Sequence, residues 1–151
     1  MDTTLWGFTV RDLEGARVPL SRFRGKVCLV VNVTSLCRHA AKQFKFLNSI
    51  RSVYRTRSPG FEVLAFPSRQ PGGSESVGGM DLLRRIRVQY RAQFPLFTED
   101  EWNSIGASTL SSPVHNFLTS HPILNRPSPA AFSESFAKVL IDVNGRPVRT
   151  W

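Results

Sequence analysis

The chain has 151 residues, 41% of them hydrophobic, with 20 Lys plus Arg against 11 Asp plus Glu and a formal charge of +9. No run of 18 apolar residues and no charged-then-apolar leader is present, so the expectation is one domain over residues 1–151 with no membrane-spanning helix. Two cysteines, Cys28 and Cys37, are too few for a disulfide framework and fit a reducing compartment, cytoplasmic or mitochondrial.

In chain order, residues 8–20 alternate in polarity around Leu13-Glu-Gly15, as a short β-hairpin does. Residues 21–26 form a basic connection into Lys26-Val-Cys-Leu-Val-Val-Asn-Val-Thr-Ser-Leu-Cys37, an apolar, β-branched run of strand length that delivers Cys37 to the start of a helical pattern. A helix start presents unpaired N–H groups and the positive end of the helix dipole, which favours thiolate over thiol, and the thiolate is the nucleophilic form. Arg38 pushes the same way. Cys28, in the middle of the apolar run, reads as a buried and inert thiol.

From residue 38 to 57, Phe44, Leu47, Ile50 and Tyr54 recur at three-to-four-residue steps and mark one face of an amphipathic helix, which Ser58-Pro-Gly60 stops. Residues 61–66 form a second, largely apolar strand, completing a right-handed βαβ unit. The Gly- and Ser-rich stretch from 68 to 79 is a loop; it holds neither Gly-Lys-Ser/Thr nor Gly-x-Gly-x-x-Gly and so is no phosphate cradle. Leu82, Leu83, Ile86 and Tyr90 give a second amphipathic helix, and residues 93–97 a short extended segment around Pro95. Residues 98–129 are polar and punctuated, with at most one helix near 113–120. Residues 136–142 and 146–151 close the chain as an antiparallel hairpin about Val143-Asn-Gly145.

Basic residues crowd the two helices: Arg38, Lys42, Lys45, Arg51, Arg55 and Arg57 on the first, Arg84, Arg85, Arg87 and Arg91 on the second. They read as solvated faces, as attraction for an anionic small substrate, or as a surface for a large anionic assembly. No nucleic-acid motif accompanies them. His39, His115 and His121 with two cysteines do not make a metal spacing, so no metal and no bound cofactor are expected. Asn32-Val-Thr34 matches the glycosylation pattern by letters, but a central strand is no acceptor site.

Hairpin, βαβ unit with a cysteine at its first helix, second helix and final hairpin together describe an α/β thioredoxin-like fold, a central mixed sheet flanked by helices with an N-terminal β-hairpin. The wording resembles the glutathione peroxidase family across nearly the whole chain. The resemblance lies in Phe8-Thr-Val with Asp12-Leu-Glu-Gly, Arg24-Gly-Lys-Val, Val31-Asn-Val-Thr-Ser-Leu-Cys37, Gly60-Phe-Glu-Val-Leu-Ala-Phe-Pro67 with Gln70, Tyr90-Arg-Ala-Gln-Phe-Pro95, and Phe136 with Leu140-Ile-Asp-Val-Asn-Gly145. The block spacing is that of the short members without an oligomerisation loop, which implies a monomer. The resemblance also implies that Cys37 is the peroxidatic residue, that Gln70 donates a hydrogen bond beside it, and that Asn32 and the helix-start amides support them.

The sequence departs from the family at several places. The family's Trp-Asn-Phe aligns with Glu134-Ser-Phe136, so the indole and the asparagine of the catalytic tetrad are absent at Glu134 and Ser135. A carboxylate at Glu134 in the pocket would raise the thiol pKa, against Arg38 and the helix end. Trp102 and Trp151 lie elsewhere in the pattern and read as packing residues. Arg87 stands where thioredoxin-dependent members carry a resolving cysteine, and Ser68 where many relatives have a second cysteine. Recycling then falls to an external thiol, glutathione or thioredoxin-type, with Arg69, Arg84 and Arg85 suited to carboxylates of glutathione. Two readings follow. One is a thiol-dependent peroxidase acting on hydrogen peroxide or organic and lipid hydroperoxides. The other is an impaired, peroxidase-like basic subunit of a larger assembly such as an organellar ribosome.

Overall fold

The computed structural model describes residues 4–33, 39–67, 83–98, 117 and 136–150. The predicted hairpin is β1 (Thr9–Arg11) and β2 (Arg17–Pro19), paired antiparallel with Val10 opposite Val18. The main sheet comprises β3 (Val27–Val33), β4 (Phe61–Pro67), β5 (Lys138–Ile141) and β6 (Pro147–Thr150) in the order β4-β3-β5-β6. A single α-helix among the described residues, α1 (Ala40–Tyr54), crosses from β3 to β4. β3 and β4 run parallel, from Val27 opposite Phe61 to Val33 opposite Pro67, whereas β5 is antiparallel to β3. The sheet is therefore mixed, as the α/β thioredoxin-like reading requires.

β3 is apolar at every position but Asn32 because both its faces are covered. Cys28 and Val30 share one face with Leu64, Phe66, Val139 and Ile141, packed against Leu5, Trp6, Val10 and Leu20 from the N-terminal region. Leu29, Val31 and Val33 face the other way with Val63 and Ala65, under Phe44 and Leu47 of α1. Phe44 is the hub of that second layer: its ring stacks on Tyr90 at 4.7 Å and meets Phe136 edge-on at 5.4 Å. Such aromatic pairs add to the area term that burial already supplies.

Three elements differ from the sequence reading. The expected basic connection at 21–26 begins as a 3-10 turn, Leu20–Phe23, because Leu20 and Phe23 are buried and pull the backbone inward. The second amphipathic helix becomes a π-helical turn at Arg85–Gln89, with Ile86 buried. The extra residue per turn accompanies Arg87, whose guanidinium donates from one nitrogen to the carbonyls of Ala92, at 2.8 Å, and Phe94, at 2.7 Å. Tyr54, counted on the apolar face of α1, is 47% exposed, because the helix runs past the sheet's buried strip at its last turn.

Not all the arginines on α1 are solvated. Arg51 forms an ion pair with Glu62, Nε to Oε1 at 2.7 Å and Nη2 to Oε2 at 3.3 Å, fixing α1 to β4 across the crossover. With both side chains largely buried, removing the guanidinium leaves a carboxylate with less compensation than water gave it.

One turn design occurs twice. At Asp12-Leu-Glu-Gly15 and at Asp142-Val-Asn-Gly145 the aspartate Oδ1 accepts two backbone N–H groups, those of Glu14 and Ala16 and those of Asn144 and Arg146. The glycine lies in the left-handed region, φ +91° at Gly15 and +82° at Gly145. The second turn also anchors the N-terminal region: Leu5 N–H donates to Gly145 O at 2.7 Å and Trp6 Nε1–H to Val143 O at 3.3 Å. A Cβ on Gly145 would stand 2.9 Å from the Trp6 ring. Gly145→Ala is accordingly expected to lower the unfolding free energy by about 2 kcal/mol or more, from backbone strain plus the clash. Gly15→Ala, with open space around it, carries the strain alone and costs less. Urea unfolding of the two variants measures the difference, and equal losses would show that the Trp6 contact is immaterial.

Candidate functional site

The sheet assembles a common edge from three strand ends. β3 and β4 finish side by side at Val33 and Pro67, and neighbouring strands lie about 4.8 Å apart. β5, running the other way, begins at the same edge: Asn32 N–H donates to Ala137 O at 3.1 Å, and Phe136 N–H to Asn32 O at 2.5 Å. Cys37 follows the end of β3 by four positions, Gln70 follows the end of β4 by three, and Ser135 and Glu134 immediately precede Phe136. Cys37, Arg38, Arg69, Gln70, Glu134 and Ser135 themselves lie outside the described residues, as do Ser68, Trp102, His115, His121 and Trp151.

Asn32 is fully buried, and its main chain ties the β5 entrance to the last turn of β3. By strand alternation its side chain belongs to the face of Cys28 and Val30, away from α1. Phe136 has φ +62°, a left-handed conformation uncommon outside glycine, and turns the chain into β5 at this edge. His39 is exposed at the start of α1 and its side chain makes no capping hydrogen bond. Arg84 is exposed and Arg85 half-buried at the entry to the π-helical turn.

Two residues that sequence reasoning did not single out in these roles support the edge. Lys138, the first residue of β5, is half-buried, and its Nζ donates to Gln43 Oε1 at 2.8 Å and to Phe136 O at 2.9 Å. It therefore bonds the first turns of α1 to the corner at 136. Burial pulls its pKa below the ordinary lysine value. Arg87, aligned with a resolving cysteine in some family members, instead braces the 92–94 segment; burial lowers its pKa as well. Only the inward side of an alternating pattern could have hinted at Lys138, and a lysine there gives no sequence signal of its own.

Cys28 is the thiol whose environment is described. It has no solvent exposure, and burial foremost, with the Glu62 charge adding to it, pushes its pKa up to about 12. A thiol so far from ionisation is a packing residue, as the sequence implied. Among the described residues there is no group of three His, Cys, Asp or Glu able to hold a metal ion, and no helix long and apolar enough to cross a membrane.

Comparison with known proteins accords with this arrangement. Residues 5–119 match the family described as glutathione peroxidase. The chain belongs to the glutathione peroxidase family. It is 36% identical over 146 residues, 97% of its length, to the protein named probable glutathione peroxidase 3, mitochondrial, of Arabidopsis thaliana, and spans 67% of that relative. It is 35% identical to glutathione peroxidase 1 of Helianthus annuus over 96% of its own length and 82% of that protein's. The crystal structure of Trgpx in apo form superposes with a TM-score of 0.73 at 27% identity, covering the whole of this chain and 86% of the other. Thiol-disulfide oxidoreductases such as that of Bacteroides fragilis share the fold, with a TM-score of 0.64 at 13% identity over 98% of this chain and 89% of theirs. Membership makes the chain a thiol-dependent peroxidase, an oxidoreductase, on a thioredoxin-like scaffold.

The buried thiol generates a prediction. Iodoacetamide at pH 8 is expected to leave Cys28 unmodified in the native protein and to modify it after unfolding in urea, read by peptide mass spectrometry. Because the folded state holds the Cys28 proton up to about pH 12 while the unfolded state releases it nearer an ordinary thiol value, stability falls as pH rises through that interval. Cys28→Ala removes this contribution, so the alkaline slope of unfolding free energy becomes shallower in the variant than in the parent. Native labelling of Cys28, or identical slopes, contradicts the reading.

Proposed function

We propose that the chain reduces hydroperoxides with Cys37 as the nucleophile and Gln70 as a hydrogen-bond donor beside it, Asn32 and Arg38 supporting them. The observation that carries the reading is the parallel register of β3 and β4, which brings Val33 and Pro67 opposite each other, a few residues before those two positions. A Cys37 thiolate attacks the distal peroxide oxygen, forming an S–O bond as the O–O bond breaks; the alkoxide leaves as an alcohol after gaining a proton, and Cys37 is left as a sulfenic acid. Because Cys28 is buried on β3 and pairs with Ile141 there, no second thiol from that position meets it. An external thiol then displaces water to give a mixed disulfide, and a second thiol releases the disulfide product and restores Cys37. Glutathione or a thioredoxin-type protein fills that role, the protein acts as a monomer, and a cytoplasmic or mitochondrial compartment suits it.

Relatives named phospholipid hydroperoxide glutathione peroxidase, such as the chloroplastic protein of Arabidopsis thaliana at 34% identity, support organic and lipid hydroperoxides among the substrates. The alternative role as a basic assembly subunit rests on the net charge, on Arg38 and on the replaced tetrad positions Glu134 and Ser135. Glu134 and Ser135 in place of the tetrad's tryptophan and asparagine point to a slow enzyme, since each lost donor costs on the order of a hundredfold in rate.

Stopped-flow consumption of hydrogen peroxide and of a lipid hydroperoxide, with dimedone trapping of the sulfenic acid, tests the proposal. Cys37→Ser is expected to abolish both signals, and Gln70→Ala to slow the peroxide step on the order of a hundredfold. Turnover unchanged in Cys37→Ser would falsify the assignment. Restoring the family residues with Glu134→Trp and Ser135→Asn is expected to raise the rate at least about tenfold; a double variant no faster than the parent shows that those positions do not serve the reaction.

A further inference from the structure

Beside α1, on the sheet face that carries Leu29 and Leu140, lies a groove of about 520 Å³ that the proposed reaction does not use. Its walls are Phe46, Ile50 and Tyr54 of α1 and Phe61 at the start of β4, with Leu29 and Leu140 as floor. Phe46 is 49% exposed and Tyr54 47%. One end differs from the rest: Lys42, Gln43 and Lys138 close it.

The charges at that end are unbalanced. Lys138 Nζ is held by two neutral acceptors, Gln43 Oε1 and Phe136 O, and lies 5.9 Å from the centre of the Phe46 ring. Among the described residues no carboxylate lies within ion-pair distance of it; the ion pair among them is Arg51–Glu62, and neither residue lines the groove. Among the described residues the partners of Lys138 are thus all uncharged, and a half-buried ammonium so held loses hydration without gaining a counter-charge from them. Lys42, exposed one helical turn away from Phe46, adds a second positive charge at the same end. From Lys42 to Tyr54 the helix rises about 18 Å at 1.5 Å per residue, the reach of an extended medium-length alkyl chain.

We propose that this groove binds a single-chain amphiphile with an anionic head, a free fatty carboxylate, its head between Lys42 and Lys138 and its tail along Phe46, Ile50 and Tyr54 toward Phe61. The pairing supplies cover for the exposed apolar side chains and, for Lys138, a counter-charge that no carboxylate among the described residues gives it. The ligand undergoes no reaction there, and its binding is independent of Cys37 and of the peroxidase cycle.

Dodecanoate below its micelle concentration is the probe, titrated by calorimetry into the intact chain and its Cys37→Ser variant. Saturable binding of equal strength to both is expected. Phe46→Asp, a change at a half-exposed position, puts a like charge beside the head and is expected to abolish binding. Lys138→Gln is expected to weaken it about tenfold; should that variant fail to fold, Lys42→Gln, at an exposed position, is expected to weaken it severalfold. Dodecyltrimethylammonium, with the same tail and opposite charge, is expected not to bind at the groove. The proposal is overturned by no saturable binding of dodecanoate, by undiminished binding to folded Phe46→Asp, by equal affinity for the cationic amphiphile, or by binding seen only with anionic vesicles.

Discussion

The pairing of β3 with a parallel neighbour on one side and an antiparallel one on the other is the constraint from which the molecule is built. A strand flanked in this way has every ladder position occupied along most of its length, and its side chains meet a packed layer on each face. That is why its composition is nearly uniform in apolar residues instead of alternating. The same arrangement decides where chemistry can occur: two strands finish and a third starts along one border of the sheet, so segments distant in sequence become neighbours. The ladder stops at Asn32 and Val33, and the main-chain bonds of Asn32 to the 136–137 corner lock that border in register.

Support for the border comes from outside it. Phe44 reaches from the helix to the rings of Tyr90, Phe94 and Phe136, so the helix, the π-helical turn and the entrance to β5 share one aromatic cluster. Lys138 makes a polar connection between the same helix and the same corner, and Arg87 holds the carbonyls of Ala92 and Phe94 on the flank. These long side chains act through their hydrogen-bonding heads and through their buried stems. Two of the chain's cations, Arg87 and Lys138, thereby serve as internal brackets and a third, Arg51, is paired with Glu62, so net charge alone is a poor guide to partners here.

The sequence made the main elements readable because their signals were local. Alternation about Leu13-Glu-Gly15 and the Val143-Asn-Gly145 turn revealed the two hairpins, three-to-four spacing revealed α1, and the apolar runs within 26–37 and 61–66 revealed the two central strands. The buried state of Cys28 followed from its position within such a run. What was not readable depended on side-chain contacts that periodicity does not encode: the inward turn at Leu20–Phe23, the π-helical turn that accompanies the Arg87 bonds to two carbonyls, the Arg51–Glu62 pair, and the bracket made by Lys138. A cationic side chain carries the same letter whether it is solvated or engaged, and periodicity cannot separate the two. For the candidate site, the strand ends were legible and so was the family, whereas the positions beyond those ends are known from sequence only.

The joining of Leu5 and Trp6 to the final hairpin has a consequence for how the chain is made. Leu5 and Trp6 find their hydrogen-bond acceptors at Gly145 and Val143, and the antiparallel flank of β3 waits for Lys138–Ile141. During synthesis, β3 and β4 can zip together long before that flank is filled, leaving a hydrophobic strand with open amide and carbonyl groups exposed to other chains. Protection of the nascent protein against self-association therefore depends on the hairpin of Lys138–Ile141 and Pro147–Thr150, and its removal uncovers the very strand on which everything else is stacked.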